Sequence, residues 1–332
     1  MKGNRGSIVI VTLWVLAILL LLAVGLAYRV GLELRMARYA QDRLKISYIA
    51  KAGFERAVAL LLKEGAADPV DSLQEEWSHQ ESLFKEFQVG EGFFSVSYPF
   101  FEERGRETRR YGMEDEESRL PLNRATAEIL QRIPGMEEEL VFSIRAWRGD
   151  KDLTAEEIAR EDSAYVTLGK PYSRKGEPFE SLEELLLVRG MTPSLYDLMK
   201  RSSTVYGSGK VNLNTASTEV LEQLGLDREI ARRISDIRKG EDGIWGTKDD
   251  NVIENISELS SPEIQGLLSL DQDQQLALIN FMTAQQNLLT VQSTAFRIQV
   301  EARLSQGRAK KRIVAVVDRS KGKGSVRYWH EE

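Results

Sequence analysis

Two acidic clusters are the residues of this chain whose types and spacing could do chemistry. One is Asp150 and Asp152, with Glu161 and Asp162 downstream. The other is the run Glu241-Asp242-Gly243-Ile244-Trp245-Gly246-Thr247-Lys248-Asp249-Asp250. Calcium takes about 6–8 oxygen ligands, often from carboxylates and loop carbonyls. A glycine-punctuated loop with aspartates at both ends can wrap such an ion. Asp242, Asp249 and Asp250 are therefore candidate Ca2+ ligands, and Asp150, Asp152 and Glu161 form a second candidate set. The plainer alternative for either cluster is a solvated acidic loop.

Other chemistry is closed off by composition. The 332 residues include no cysteine and only two histidines, His79 and His330, far apart in sequence. That excludes disulfides, thiolate metal sites and cysteine nucleophiles, and it argues against a histidine triad or a multi-histidine zinc site. Asp150 and Glu161 could nominally pair as catalytic carboxylates, but no nucleophile motif or phosphate loop accompanies them, so no enzyme is expected. A net charge of −6 gives no electrostatic reason to expect nucleic acid or anionic lipid as a partner.

The elements that must position these clusters begin with an apolar run. Lys2 and Arg5 precede IVIVTLWVLAILLLLAVGLAY, and charge resumes at Arg29. About 20 apolar residues in a helix span the hydrocarbon core of a bilayer. Basic residues before the span place the N-terminus on the cytoplasmic side. The run is too long for the apolar core of a cleaved signal peptide and continues directly into more helix. Beyond Tyr28 the pattern turns amphipathic, with Ile46, Ile49, Gly53, Ala57 and Leu60 at spacings of three and four. This helix is expected to run to Gly65, with Pro69 as a stop signal beyond it.

Gly92 to Phe101 is rich in aromatic and β-branched residues and predicts a strand. The polar stretch from Glu102 to Arg119 predicts a hairpin excursion or loop, with DEESRL opening a second strand. From Pro121 to about Gln285 the pattern is helical and repeats itself. Leu122-Asn123-Arg124-Ala125-Thr126 precedes a helix that ends in Ile133-Pro134-Gly135-Met136. Val211-Asn212-Leu213-Asn214-Thr215-Ala216-Ser217 precedes one that ends in Leu224-Gly225-Leu226. Asn or Thr caps the helix start, and Gly allows the exit. Such units could be helix-hairpin-helix DNA-binding modules, making a DNA-binding minor pilin of a DNA-uptake machine the alternative reading. The turns lack a second glycine, however, and Glu137, Glu138 and Glu139 would repel phosphate. At the C-terminus, Phe296 to Leu304 alternates apolar and polar residues. Lys311–Asp318 and Val326–Trp329 follow after the turns at Gln306-Gly307 and Lys321–Gly324, predicting an antiparallel meander. That sheet supplies the apolar surface the first helix needs.

Arg5-Gly6-Ser7 ahead of an apolar helix resembles the processing site of type IV pilins and type II secretion pseudopilins. The resemblance implies that prepilin peptidase cuts after Gly6 and that Ser7 becomes the mature N-terminus. Most members carry a glutamate at the fifth mature position; here that position is Val11. A carboxylate in lipid is costly unless paired. A subunit with Val11 has none to pair and can lead a filament without leaving a buried charge.

Pro121-Leu122-Asn123, Ala146-Trp147-Arg148-Gly149-Asp150-Lys151-Asp152, Glu161 with Tyr165, Pro171-Tyr172, SLEELLLVRGM and KVNLNTAS occur in the order seen in the minor pseudopilin K family of type II secretion, which the chain resembles over nearly its whole length. It departs at Gly149, where the family usually has an acidic residue, and at Ala164, which replaces the first of a tyrosine pair. The resemblance implies an α+β, pilin-like fold: a long N-terminal helix and an antiparallel sheet, with a large inserted helical domain of helix-hairpin-helix or SAM-like repeats. The implied division is a leader at 1–6, a transmembrane half-helix at 7–28, a pilin-like helix and first strand at 29–103, the insertion at 104–285, and the C-terminal sheet at 286–332. It further implies a methylated, inner-membrane subunit with a periplasmic domain. Calcium in the helical domain, minor pseudopilins I and J as partners, contact with the major pseudopilin and a place at the filament tip are also implied.

Overall fold

The computed structural model describes residues 5–67, 69–101, 106–167, 170–306 and 309–332. Along the chain these form α1 (Arg5–Ala67), α2 (Glu81–Phe84), β1 (Phe87–Val89), β2 (Gly92–Val96), β3 (Tyr98–Phe101), β4 (Glu107–Arg110), β5 (Glu114–Asp115) and β6 (Leu120–Pro121). A helical stretch follows: α3 (Ala127–Gln131), α4 (Glu138–Trp147), α5 (Ala155–Val166), α6 (Pro193–Ser202), β7 (Ser203–Thr204), β8 (Val211–Asn212), α7 (Thr218–Leu224), α8 (Arg228–Arg238), α9 (Pro262–Leu268) and α10 (Gln272–Gln285). The chain closes with β9 (Leu289–Thr290), β10 (Ala295–Leu304), β11 (Lys310–Asp318) and β12 (Ser325–Glu331).

Helix α1 has 63 residues and is therefore about 95 Å long. Its first half stands free, with Ile8 to Tyr28 exposed. Among the described residues it is the one helix long and apolar enough to cross a membrane. Its second half lays Ile46, Ile49, Ala50, Phe54, Ala57 and Leu61 onto a sheet. Gly53 sits at the closest approach: a Cβ there would lie 2.8 Å from side-chain atoms of both Phe94 and Val300. The helix ends at Ala67, two residues beyond the glycine expected to end it and just short of Pro69.

The sheet runs β1-β2-β10-β11-β12, with β5 also paired to β10. Every pairing is antiparallel. The alternation seen in the sequence of β10 becomes an inner row of Phe296, Ile298, Val300, Ala302 and Leu304 against α1. The predicted meander is present. The single strand predicted over 92–101 is two: β2 joins the main sheet, and after Ser97 the chain leaves it as β3, which forms a separate hairpin with β4. Residues 102–105, within the polar stretch predicted to form an excursion or loop, and Gly307, within a predicted turn, lie outside the described residues.

The insertion has its own apolar core, drawn from Leu120 through Leu289 and sharing no member with the core under α1. It is helical apart from two short ladders, β6 with β7 and β8 with β9, both parallel. Those ladders mark a duplication. In the first copy, Leu122 N–H donates to Thr204 O, and α3 and α4 follow as a hairpin through Gly135. In the second, Leu213 N–H donates to Thr290 O, and α7 and α8 follow through Gly225.

The asparagines of the repeated motif do not cap these helices. Thr126 and Ser217 cap them, accepting from Ile129 N–H and Val220 N–H. Asn123 instead clamps a distant backbone, donating to Phe179 O and accepting from Phe179 N–H at 2.9 and 2.8 Å. Asn214 does the same with Ile253, at 2.9 Å in each direction. An amide side chain matches a peptide group in donor and acceptor, which suits it to hold a loop that has no strand partner. The arginine at the end of each hairpin closes the unit: Arg148 donates to Leu122 O and Arg238 to Leu213 O.

Candidate functional site

Both acidic clusters leave the fold at the same point of the duplication, just after the closing arginine. The first does not form the expected ligand set. Asp150 accepts from the guanidinium groups of Arg145 and Arg148, and Asp152 also pairs with Arg145. Burial opposes ionisation of Asp150, but the Arg148 and Arg145 bonds outweigh it and hold the carboxyl below its ordinary range. Glu161, buried on α5, pairs with Arg189 at 2.8 Å. The pairing of these carboxylates with guanidinium groups leaves a poor seat for a divalent cation, because three arginines, Arg145, Arg148 and Arg189, already supply the compensating charge. Gly149 adopts φ +75°, and a Cβ there would come within 2.3 Å of Gly176 O, so the departure from an acidic residue at this position has a steric basis.

In the second loop Gly240, Gly243 and Gly246 all take positive φ. Asp249 folds back across the loop, accepting from Glu241 N–H at 2.8 Å and Asp242 N–H at 3.1 Å, while Thr247 Oγ1 donates to its other oxygen at 2.6 Å. Asp250 accepts from Gly246 N–H and Thr247 N–H, and Asp242 from Ile244 N–H. The Thr247 hydroxyl, followed by the Asp242 amide, pulls the Asp249 carboxyl down to about 2. Carboxylate oxygens held by short loops are hard ligands, which fits calcium chemistry, and Asp242 Oδ1, Asp249 Oδ1 and Asp250 Oδ2, each accepting one hydrogen bond, retain a second lone pair. Among the described residues no three His, Asp or Glu side chains converge as a metal-holding group; here the aspartates turn toward amides.

The loop also binds the insertion to the sheet unit. Gln74 donates to Thr247 O at 2.7 Å, Arg110 to Trp245 O at 3.1 Å, and Trp245 packs edge-on against Phe100. A larger polar joint lies beside it, drawing on the polar stretch before β6 and on Asn212 and Thr215 of the repeated motif. Asp71 pairs with Arg319, which also donates to Leu61 O at the end of α1. Asp115 accepts from Thr215 Oγ1 and Ser293 Oγ, with Asn212 Nδ2 3.4 Å from the same oxygen. Glu116 pairs with Arg297 and Arg119, and Glu117 accepts from Thr294 and Ser208. The run Glu114-Asp115-Glu116-Glu117 looks like a solvated charge run in sequence, yet Asp115, Glu116 and Glu117 are buried.

At the other end of the molecule Val11 lies on the exposed apolar half of α1, and Thr12 returns its hydroxyl to Val9 O at 2.9 Å. The expected leader falls largely on residues 1–4, outside the described residues; Gly6 and Ser7 lie within the first turns of α1.

Residues 107–208 match the family of type II secretion system (T2SS) protein K. No curated protein matches the chain. Among solved structures, the chain is similar to one from the GspK-GspI-GspJ complex of the enterotoxigenic Escherichia coli type 2 secretion system. The TM-score is 0.64 at 16% identity, over 89% of this chain and 99% of that one. The sequence match to T2SS protein K falls on the first copy of the duplication and its entry strands, and the fold match spans both helix-sheet unit and insertion, so the chain carries a protein K segment over residues 107–208 within a fold shared with the similar chain of that complex.

Proposed function

We propose that this subunit caps the tip of the type II secretion pseudopilus and helps initiate its assembly. The observation that carries the reading is where the insertion attaches. Its polar joint closes beside the C-terminal end of α1, where Asn212 donates to Asp71 O and Thr247 O accepts from Gln74, Asp71 and Gln74 both lying on the segment just past the helix. The free apolar segment is at the opposite end. With that segment in the membrane, the insertion's bulk occupies the space a further subunit would need ahead of it. Val11 agrees with a leading position, since it carries no carboxylate that must find a partner in lipid.

The partners under this reading are minor pseudopilins of the I and J type, on the strength of the complex that holds the similar chain. The exposed face of α1, including Leu32, Met36, Tyr39 and Leu44, is available to pack against their helices. Prepilin peptidase would cut between Gly6 and Ser7, leaving the insertion in the periplasm. The role is structural rather than enzymatic. In the loop of residues 240–250, Asp242, Asp249 and Asp250 would hold a calcium ion, whose charge would tighten the loop against Gln74 and Arg110.

The chain contains no cysteine, so one cysteine placed on the insertion gives a unique site for gold labelling. Label at one end of each filament is the expected result. Label spread along the filament sinks the tip role.

A further inference from the structure

The joint between the two cores places carboxylates unevenly among its cations. Arg297 and Arg119 both serve Glu116, and Arg319 serves Asp71. Asp115 is held by different chemistry. Its Oδ1 accepts from Glu117 N–H at 2.8 Å, capping the turn that follows. Its Oδ2 meets Thr215 Oγ1 at 2.5 Å, Ser293 Oγ at 2.7 Å and Asn212 Nδ2 at 3.4 Å. Thr215 and Asn212 belong to the insertion, whereas Ser293 leads into β10 of the sheet. Asn212 also donates to Ser293 Oγ and to Asp71 O, so one carboxyl sits at the point where three segments cross.

The hydroxyls decide what protonation states this point accepts. Each O–H can turn to donate to a carboxylate or to accept from a carboxylic acid. A neutral Asp115 therefore keeps its contacts by reversing one of them. The charged groups nearby, element by element, are Glu114, Glu116 and Glu117 on its own segment, Asp71 after α1, Arg297 on β10 and Arg319 after β11. Arg119 on its own segment pairs with Glu114 and Glu116, and the Tyr98 hydroxyl on β3 lies close enough to feel the Asp115 charge.

We propose that Asp115 is a proton-held latch between the sheet and the insertion: neutral, it lets Thr215 and Ser293 close on one oxygen, and ionised, it adds a buried anion beside Asp71 and Glu117 and loosens the joint. Burial, followed by the Glu117 and Asp71 charges, pushes its carboxyl up to about 8, with the Thr215 and Ser293 bonds working the other way. The sign follows from linkage. A carboxyl raised in the closed joint favours closure at low pH, and that preference drains away as pH climbs from 3.8 to about 8.

The test is hydrogen exchange on the full chain in detergent micelles, corrected for intrinsic rates, at the amides of Glu117, Ser293 and Thr294. Between pH values of about 5 and 7, protection there is expected to fall by roughly tenfold per pH unit, one proton being released per opening. Protection in the paired centre of β10 and β11 should not follow it. Asp115→Asn should abolish the slope at the joint. A slope that survives in Asp115→Asn, or is absent from the unaltered protein, overturns the latch. Should the variant not fold, the infrared carbonyl band of protonated Asp115 in the unaltered protein decides, using aspartate labelled with ¹³C. A neutral buried aspartic acid at neutral pH supports the latch, and its absence overturns it.

Discussion

Asp71 and Arg319 form a buried ion pair across 248 positions of sequence, one just past the end of α1 and the other just past β11. Arg319 also donates to Ser293 O and Leu61 O and lies over the Phe296 ring, while Asp71 accepts from Ser293 N–H. The pair thus ties the helix end, the sheet and the entry to the insertion at one point.

Removing one partner of a buried pair strands the other charge, at a cost of about 3–5 kcal/mol. Asp71→Ala should therefore lower the melting temperature sharply, and Arg319→Met likewise. The double variant should lose less than the two single losses added together. Thermal melts of the four proteins in one detergent check this; additive losses would mean that the two residues act independently.

Glu75 accepts from Ser72 N–H and Trp77 Nε1, and burial, with Asp71 and Glu64 adding to it, raises its carboxyl to about 7. Its folded pKa is above the ordinary 4.5, so its contribution to stability is complete below 4.5 and is lost as pH rises through about 7. Glu75→Gln retains an acceptor without the charge. It should raise stability at pH values of about 8 by an amount on the order of 1–3 kcal/mol and have little effect at about pH 4. Denaturant titrations at the two pH values test the difference. An equal effect at both would remove Glu75 from the pH dependence.

Gly149 and Gly243 separate backbone strain from steric collision. Both have positive φ, but a Cβ on Gly149 strikes Gly176 O at 2.3 Å, and one on Gly243 meets nothing within 4 Å. Gly243→Ala should cost only the strain, about 1 kcal/mol, and Gly149→Ala at least twice that. Gly149→Asp, which installs the acidic residue usual at this position, should be no better than Gly149→Ala. Equal melting temperatures for the two alanine variants would rule out the collision.

If the loop of residues 240–250 binds calcium, saturating the ion at about 100 times its dissociation constant adds about 2.7 kcal/mol. The melting temperature should rise with calcium and fall back with a chelator. Asp249→Asn combined with Asp250→Asn should remove that response, and Asp150→Asn should leave it intact. A melting temperature indifferent to calcium ends the metal reading. A response lost in Asp150→Asn moves the site to the first cluster.

Several features were legible in the sequence because local spacing determines them. The apolar run from Ile8 to Tyr28 can only be an apolar helix surface, whatever the rest of the chain does. The alternation in Phe296–Leu304 selects one buried face of a strand, and a period of two leaves no other choice. The repeated Leu-Asn motif marked the two hairpins, with Thr126 as the cap of the first and Gly135 and Gly225 as exits. Tertiary structure decided which partners the polar residues took. Whether Asn123 caps a helix or clamps Phe179 depends on a loop 56 residues away. Whether Asp150 is a free ligand depends on how Arg145 and Arg148 project from α4. The buried run Asp115-Glu116-Glu117 acquires its role only when β10, Asn212 and Arg319 arrive around it. Apolar periodicity is a property of neighbours along the chain; charge compensation is a property of neighbours in space, and in this protein those neighbours come from opposite ends of the sequence.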